Sequence, residues 1–202
     1  NNTDTAFDKL AEAVATYERT GISNRFTSKY DAFLAGKVTL SAAEQRGLAL
    51  FEDPAKGNCA VCHISRPVAG KAPLFSDFGY DNVGVPRSTN SAFYQLPAPL
   101  NPDGPAFIDH GLSASLHNPR QDGKFRAPSL RNVAVTAPYM HNGYFADLRS
   151  VVQFYNTRDV TTWPAPEVSF NLNTATMGNL HLSNQEVNDL VSFMGTLTDG
   201  YK

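Results

Sequence analysis

The residues best suited to covalent chemistry are Cys59, Cys62 and His63, in a Cys-Ala-Val-Cys-His run. Two thiols separated by two residues can each form a thioether with a vinyl group of haem, and the histidine that follows can reach the iron through a ring nitrogen. This is the attachment pattern of a c-type haem. The spacing therefore predicts one covalent haem c, with Cys59 and Cys62 as its anchors and His63 as an axial ligand of the iron.

Two other uses of a Cys-x-x-Cys pair fit the sequence less well. A dithiol redox pair has the same spacing, but it gains nothing from the following histidine and usually opens a helix in a thioredoxin-like setting. A structural zinc site needs four ligands, and the sequence contains no second cysteine pair to complete one. Haem attachment is therefore the interpretation we favour.

Composition limits the class of protein. A chain of 202 residues suits one domain, or one domain with an extended arm. The net charge of -2 argues against a nucleic-acid partner. No apolar run approaches the roughly 20 residues that a membrane-spanning helix needs. No signal peptide is recognisable at Asn1, so we expect a mature or truncated product. Because haem c is assembled outside the bacterial cytoplasm, we expect a periplasmic location.

Helical signals surround the haem motif. Apolar spacing predicts a helix over residues 7–19 with one buried stripe, and a second short helix that ends before Gly36. Ser41 and Glu44 form a capping-box pattern that opens a helix leading into the haem motif. Such a helix resembles the first helix of a class I cytochrome c. We predict an all-α, class I cytochrome c-like haem domain with long loops over residues 41–202, preceded by an N-terminal helical arm over residues 1–40.

Several stretches resemble the C-terminal haem domain of the bacterial dihaem cytochrome c peroxidases and their MauG-type relatives. They are ATYERTG, LSAAEQRGLALF, PSLRN, TAPYMH-G, residues 148–155 and a closing helix over residues 183–197. The resemblance implies that this chain is the electron-transfer half of such an oxidoreductase. It also implies a small redox protein as electron donor, and a second haem domain or chain where peroxide reacts. No catalytic residue is therefore assigned here.

The sequence departs from this family in having a single Cys-x-x-Cys-His motif. We therefore expect the second haem domain on another chain or lost by cleavage, or a shortened relative. The alternative function is a stand-alone monohaem cytochrome c electron carrier without a catalytic site.

Two residues compete for the sixth position of the iron. Met177 precedes Gly178 just before the closing helix, where many class I cytochromes place a methionine ligand. In the family that the chain resembles, the sixth ligand is a methionine or a tyrosine, and ungapped counting from Thr136 brings that position to Tyr155. We expect Tyr155, with Met177 as the alternative.

The resemblance implies further contacts. The family binds calcium between its haem domains, and its ligands on this side match Thr136 and the backbone carbonyl of Pro138. Calcium takes six to eight oxygens, so we expect any calcium to be shared with a partner domain. Arg131 is our candidate for a bidentate contact with a haem propionate. His141 is expected near the haem without binding the iron.

Overall fold

The computed structural model describes residues 2–21, 25–89 and 91–202. Within these ranges the chain is rich in helix and contains a small antiparallel sheet, in which Tyr80 pairs with Arg126 and Asp81 with Phe125. The helices are α1 (Thr3–Glu18), α2 (Lys29–Leu34), α3 (Ala42–Glu52), α4 (Leu112–Leu116), α5 (Leu148–Thr157) and α6 (Asn184–Gly195), and the strands are β1 (Tyr80–Asp81) and β2 (Phe125–Arg126). Short 3₁₀ helices cover Cys59–Val61, Ala92–Gln95, Gly104–Ala106, Pro119–Gln121 and Val133–Val135.

Local signals in the sequence explain where three of the helices begin. Ser28, Ser41 and Ser183 each cap the helix that follows, and an acidic residue three positions later returns the hydrogen bond to the amide of the serine. The capping box predicted at Ser41 and Glu44 is confirmed. Each box satisfies amides at the start of the helix that have no partner within it.

The main core lies where α3 and α6 cross. Tyr30, Phe51, Phe75 and Phe193, which we call the aromatic core, are buried with edge or tilted ring contacts. The rings of Phe51 and Phe193 have centroids 5.1 Å apart. Edge contacts between aromatic rings add to the free energy gained by burying them.

A second apolar cluster lies under α5. Val85, Phe145, Phe154 and Met177 are buried together, and Trp163 packs against them. The Trp163 indole nitrogen donates a hydrogen bond to the Thr157 hydroxyl at 3.1 Å, which satisfies the polar atom of a largely apolar ring. This cluster fixes one face of α5, the helix that carries Tyr155.

The helix predicted over residues 7–19 is present, but the burial predicted for its stripe is wrong. No residue of α1 is buried. The side chains of Phe7, Leu10 and Val14 remain 69%, 64% and 49% exposed. The apolar period was assigned correctly, because it describes the helix itself. Burial also needs a neighbouring surface, and the described part of this chain does not bring one to these residues.

The predicted division at residue 40 stays a prediction. Tyr30, inside the predicted arm, is part of the aromatic core, and its hydroxyl donates to the Ser65 carbonyl at 3.2 Å. Thus α2 packs with the body of the domain. None of the helices in the described ranges combines the length and apolar character needed to cross a bilayer.

Candidate haem site

A tight turn after α3 brings the two cysteines to one place. The Gly57 amide donates to the Leu50 carbonyl at 3.1 Å. A Cβ on Gly57 would lie 2.3 Å from that carbonyl oxygen, so only glycine permits the close approach. A 3₁₀ turn over Cys59–Val61 follows, and the His63 amide donates to the Cys59 carbonyl at 2.9 Å. Both cysteines are half-buried free thiols.

The His63 ring is fixed by a backbone carbonyl. Its Nδ1 lies 2.8 Å from the carbonyl oxygen of Phe75. A carbonyl only accepts hydrogen bonds, so Nδ1 carries the proton and Nε2 keeps its lone pair. Burial lowers the pKa of His63 and outweighs Phe75, Asp77 and Pro128, which act to raise it, so the neutral ring is favoured. A neutral imidazole that is oriented through its other nitrogen is the usual form of a metal-binding histidine.

The two thiols are poorly suited to dithiol redox chemistry. Burial raises the pKa of Cys59 to about 12. Burial also raises the pKa of Cys62, and the nearby Asp77 and Asp81 raise it further. Reactive redox cysteines have lowered pKa values because the thiolate is the nucleophile. These cysteines therefore fit thioether attachment better than thiol–disulfide exchange.

Tyr155 shares the neighbourhood of the cysteines. Burial raises the pKa of its phenol above the ordinary value, and Cys59 and Cys62 are the next contributors. Such an influence requires the phenol to lie within electrostatic range of both sulfurs. The Tyr155 carbonyl accepts a hydrogen bond from the Gly178 amide at 2.7 Å, which fixes the backbone on that side. The Tyr155 side chain also packs against the second apolar cluster, to which Met177 belongs.

Met177 has an apolar environment. Its side chain is 5% exposed and lies in the second apolar cluster with Val85, Phe145 and Phe154. This packing accounts for an apolar side chain at that position without an iron ligand.

Arg131 is engaged within the protein. Its guanidinium donates to both carboxylate oxygens of Asp31 at 2.8 Å and to the Pro73 carbonyl at 2.9 Å. The two-bond pair joins Arg131 to Asp31 in α2, 100 residues away in the sequence. The third bond connects Arg131 to Pro73, in the segment after the haem motif. A contact between Arg131 and a haem propionate stays a prediction.

His141 lies in a polar cluster beside β2. Its ring stacks on Phe125 with centroids 3.6 Å apart, and its Nε2 is 3.4 Å from a carboxylate oxygen of Glu167. Burial lowers the pKa of His141. His141, Glu167, Asp109 and Asn82 all line one small cavity. The distance from His141 to a bound haem is not fixed by these contacts, so its expected place near the haem stays a prediction.

Thr136 and Pro138 lie on an exposed turn after the 3₁₀ helix Val133–Val135. The Thr136 hydroxyl donates to the Val133 carbonyl at 3.2 Å, which leaves lone pairs on its oxygen. In the described ranges, no group of three or more histidine, cysteine, aspartate or glutamate side chains is arranged to hold a metal ion. A calcium ion at this turn would need oxygens from elsewhere.

Two residues of the site were not predicted. Phe75 orients His63 through its backbone, so its side-chain type gave no signal. Buried Arg158 donates to the carbonyls of Val83 at 3.0 Å and Asn173 at 2.6 Å, and so holds the loop after α5. The adjacent acidic residue, Asp159, forms an ion pair with Arg158 at 2.7 Å. This neighbouring charge was the one sequence feature that pointed to Arg158.

The solved structures that match this fold are dihaem peroxidases and a MauG-like protein. The diheme peroxidase BthA from Burkholderia thailandensis E264 matches with a TM-score of 0.73 and 36% identity, over 94% of this chain and 50% of that chain. A MauG-like protein associated with microbial copper homeostasis matches with a TM-score of 0.62 and 34% identity, over 86% of this chain and 49% of that chain.

Curated relatives narrow the class to a family. The methylamine utilization protein MauG of Paracoccus denitrificans is 38% identical over 96% of this chain and 52% of its own length. Cytochrome-c peroxidase IdrP1 of Denitromonas iodatirespirans is 37% identical over 92% of this chain and 48% of its own length. The chain therefore belongs to the family of MauG and the dihaem cytochrome c peroxidases, which confirms the resemblance to the family; its match to the C-terminal haem domain stays a prediction. It spans about half the length of the curated relatives it matches. No protein-family model matches the chain.

Proposed function

We propose that this chain is the electron-transfer half of a two-haem oxidoreductase of the peroxidase and MauG type, with one haem c attached to Cys59 and Cys62. The observation that carries the proposal is the fixed orientation of the His63 ring, next in sequence to two free cysteine thiols. Its Nδ1 is occupied by the Phe75 carbonyl at 2.8 Å, so Nε2 is the nitrogen available for iron. The related two-haem proteins give no support to the alternative, a stand-alone carrier.

Haem c supplies a reversible one-electron couple whose potential depends on its axial ligands and its surroundings. The residues of this chain bind and orient the group. The cysteines anchor it, the Phe75 carbonyl holds the His63 ring in place, and the aromatic core behind Phe75 keeps that carbonyl in position. We propose a class I cytochrome c-like architecture for this domain, with the small sheet as an addition.

Tyr155 is the sixth ligand in this proposal. The electrostatic influence of Cys59 and Cys62 on its phenol supports this choice, and the second apolar cluster holds both Met177 and the ring of Tyr155. An iron held on both faces has no open position for a peroxide molecule. The role of this domain is therefore to pass electrons, and no residue of this chain is given a catalytic role.

The partners follow from the same proposal. BthA contains two haems, and this chain matches half of it, which supports a second haem domain where peroxide reacts. A small redox protein would supply the electrons. Thr136 and the Pro138 carbonyl would give oxygens to a calcium ion shared with the second domain. We propose a periplasmic location, because haem c is assembled outside the bacterial cytoplasm.

Covalent haem content tests the proposal. The chain is produced with a c-type haem maturation system, separated on a denaturing gel and stained for haem, and its intact mass is measured. One haem per polypeptide is expected, and the double variant Cys59→Ala/Cys62→Ala should retain none. His63→Asn should lose the low-spin haem spectrum, while the exposed His117→Asn should not. A chain without covalent haem, or one unaffected by loss of the cysteines, would overturn the proposal.

A further inference from the structure

We infer that Arg158 and Asp159 position the loop after α5 so that Tyr155, and not Met177, takes the sixth position of the iron. We call this pair of residues the α5 clamp, and we call residues 173–178 the Met177 loop. The inference rests on the proposed function for the haem and for Tyr155 as its ligand. It adds two positioning residues, which act through the backbone that they hold.

The two candidate ligands lie in one small region of the protein. Met177 is buried in the second apolar cluster, and Tyr155 packs against the same cluster. The Gly178 amide donates to the Tyr155 carbonyl at 2.7 Å, so the backbone beside Met177 is joined directly to α5. A tyrosine oxygen and a methionine sulfur can each bind haem iron, and methionine raises its reduction potential. The choice between them therefore depends on how the chain holds the Met177 loop.

Arg158 fastens the beginning of the Met177 loop. Its side chain is 4% exposed. Two hydrogen bonds form a fork to the Asp159 carboxylate, at 2.7 and 2.8 Å. A third hydrogen bond goes to the Asn173 carbonyl at 2.6 Å, and a fourth goes to the Val83 carbonyl at 3.0 Å. Because the guanidinium is planar and rigid, it fixes these partners in one arrangement at the end of α5.

Asp159 fastens the other end of the loop. Its amide donates to the Gly178 carbonyl at 2.9 Å. A Cβ on Gly178 would lie 2.0 Å from a carboxylate oxygen of Asp159 and 3.0 Å from Nη2 of Arg158. Gly178 also has a φ of 100°, in the region that favours glycine. Both ends of the Met177 loop are thus held against residues 155–159, which leaves Met177 little freedom to move.

The burial of Arg158 favours a role in choosing one conformation. Removing a guanidinium from water is costly, and apolar side chains of similar volume often stabilise a protein as well as a buried ion pair does. Buried ion pairs can instead specify one conformation over another. The competing conformation here is one in which the Met177 loop moves and its sulfur approaches the iron. The α5 clamp disfavours that conformation, because its hydrogen bonds form only with the loop in place.

Spectra of haem-loaded variants test the inference. The ferric haem of the unaltered chain should lack the weak absorption band of sulfur-to-iron charge transfer. Arg158→Gln should release the Met177 loop, so the band should appear and the midpoint potential should rise. The ratio of methionine-bound to tyrosine-bound haem should increase at least about tenfold. The double variant Arg158→Gln/Met177→Leu should lose the band again, because the competing sulfur is gone.

Two further variants separate positioning from folding. Arg149→Gln removes another arginine of α5, one that is exposed and lies outside the α5 clamp. It should leave the band and the potential unchanged. Asp159→Asn keeps the shape of a partly exposed side chain and removes its charge, so it is the milder change to the clamp. It should shift the spectrum in the same direction as Arg158→Gln, and it decides the test if Arg158→Gln does not retain haem.

Three results would overturn the inference. They are an unchanged spectrum in both clamp variants, a loss of low-spin haem that is the same with and without Met177, and a sulfur band already present in the unaltered chain. The last result would also refute Tyr155 as the ligand, whereas the first two would leave the proposed function in place. Haem staining of the same samples reports covalent attachment separately.

Discussion

At the scale of single residues, the site depends on which atoms are already engaged. The Nδ1 of His63 is bound to the Phe75 carbonyl. The His63 ring therefore has only Nε2 with which to bind iron. Tyr155 shares an electrostatic environment with both thiols, and it packs against the same apolar cluster that contains Met177. Tyr155 stays the proposed sixth ligand, with Met177 as the alternative.

The first prediction concerns the sixth ligand. Tyr155→Phe removes the phenol oxygen and keeps the ring, so packing should change little. The iron should lose a ligand, and the ferric haem should become high-spin or recruit a substitute. Absorption and electron paramagnetic resonance spectra of the haem-loaded variant measure this change.

Met177→Leu is the matched control. It conserves volume and apolar character, so it should cost less than about 1.5 kcal/mol of unfolding free energy and leave the spectra unchanged. The assignment is wrong if Met177→Leu gives a high-spin haem and Tyr155→Phe has no effect. The iron would then have histidine and methionine ligands and a higher reduction potential.

The ion pair of Asp31 with Arg131 gives a pH prediction. Burial acts to raise the pKa of Asp31, but hydrogen bonds from Arg131 and Ser28 outweigh it and hold the pKa below its ordinary value. A carboxyl whose pKa is lowered by folding contributes stability above its unfolded-state pKa, about 3.9. That contribution is lost as the pH falls through the lower folded-state value. Unfolding free energy should therefore decrease below about pH 4.

Asp31→Asn should reduce this acid dependence and cost about 3 kcal/mol near pH 7, because it leaves the Arg131 charge without its partner. Denaturant titrations from neutral pH to about pH 2 measure both effects. The exposed Asp103→Asn is the control and should leave the curve in place. An unchanged acid dependence in Asp31→Asn would show that other carboxyl groups control it.

At the scale of elements, the close crossing of α3 and α6 requires a glycine at position 47. A Cβ on Gly47 would lie 2.0 Å from the Asp189 carbonyl oxygen and 2.7 Å from the Cβ of Phe193. The Arg46 guanidinium also pairs with the Asp189 carboxylate at 2.7 Å across the same crossing. Glycine at position 47 therefore allows the two helices to approach closely.

We predict that Gly47→Ala destabilises the domain by about 1–3 kcal/mol, although alanine is the better helix former. Gly195→Ala at the end of α6 is the matched control, because its Cβ would meet no atom within 4 Å. That change should be neutral or should stabilise by up to about 1 kcal/mol. Unfolding midpoints in guanidinium compare the two. Equal midpoints for the two variants would contradict the close crossing.

Sequence patterns predicted the elements whose signals are local. The apolar period gave α1 and α2, and the capping box gave the start of α3. The exposure of α1 was not predictable, because periodicity describes a helix and contains no information about its neighbours. The pairing of β1 with β2 joins residues more than 40 positions apart in strands of two residues, which are too short to show a period.

The same distinction applies to the site. Cys59, Cys62 and His63 could be predicted as a haem site from their spacing alone. The Phe75 carbonyl could not, since a backbone acceptor has no side-chain signal. The partner of Arg131 in the structure, Asp31, is 100 residues away in the sequence, and the expected propionate contact stays a prediction. Only the folded chain brings those two groups together.

At the scale of the whole molecule, calcium is predicted to act on the assembled protein. Thr136 and the Pro138 carbonyl supply too few oxygens for the six to eight that calcium takes. Chelation should therefore weaken binding of the second haem domain and leave the haem spectrum of this chain unchanged. Titration calorimetry with the chain alone is the check, and tight calcium binding there would contradict a shared site.

The most direct test of the electron-transfer assignment is steady-state turnover of hydrogen peroxide by the isolated haem-loaded chain with a reduced donor. In the proposed site, His63 and Tyr155 would both bind the iron and would leave no open position, and the chain has no assigned acid–base pair beside it. The chain should accept and release electrons, and its peroxide turnover should stay far below about 1 s⁻¹. Sustained turnover at about 1–10³ s⁻¹, the range of ordinary enzymes, would contradict the assignment.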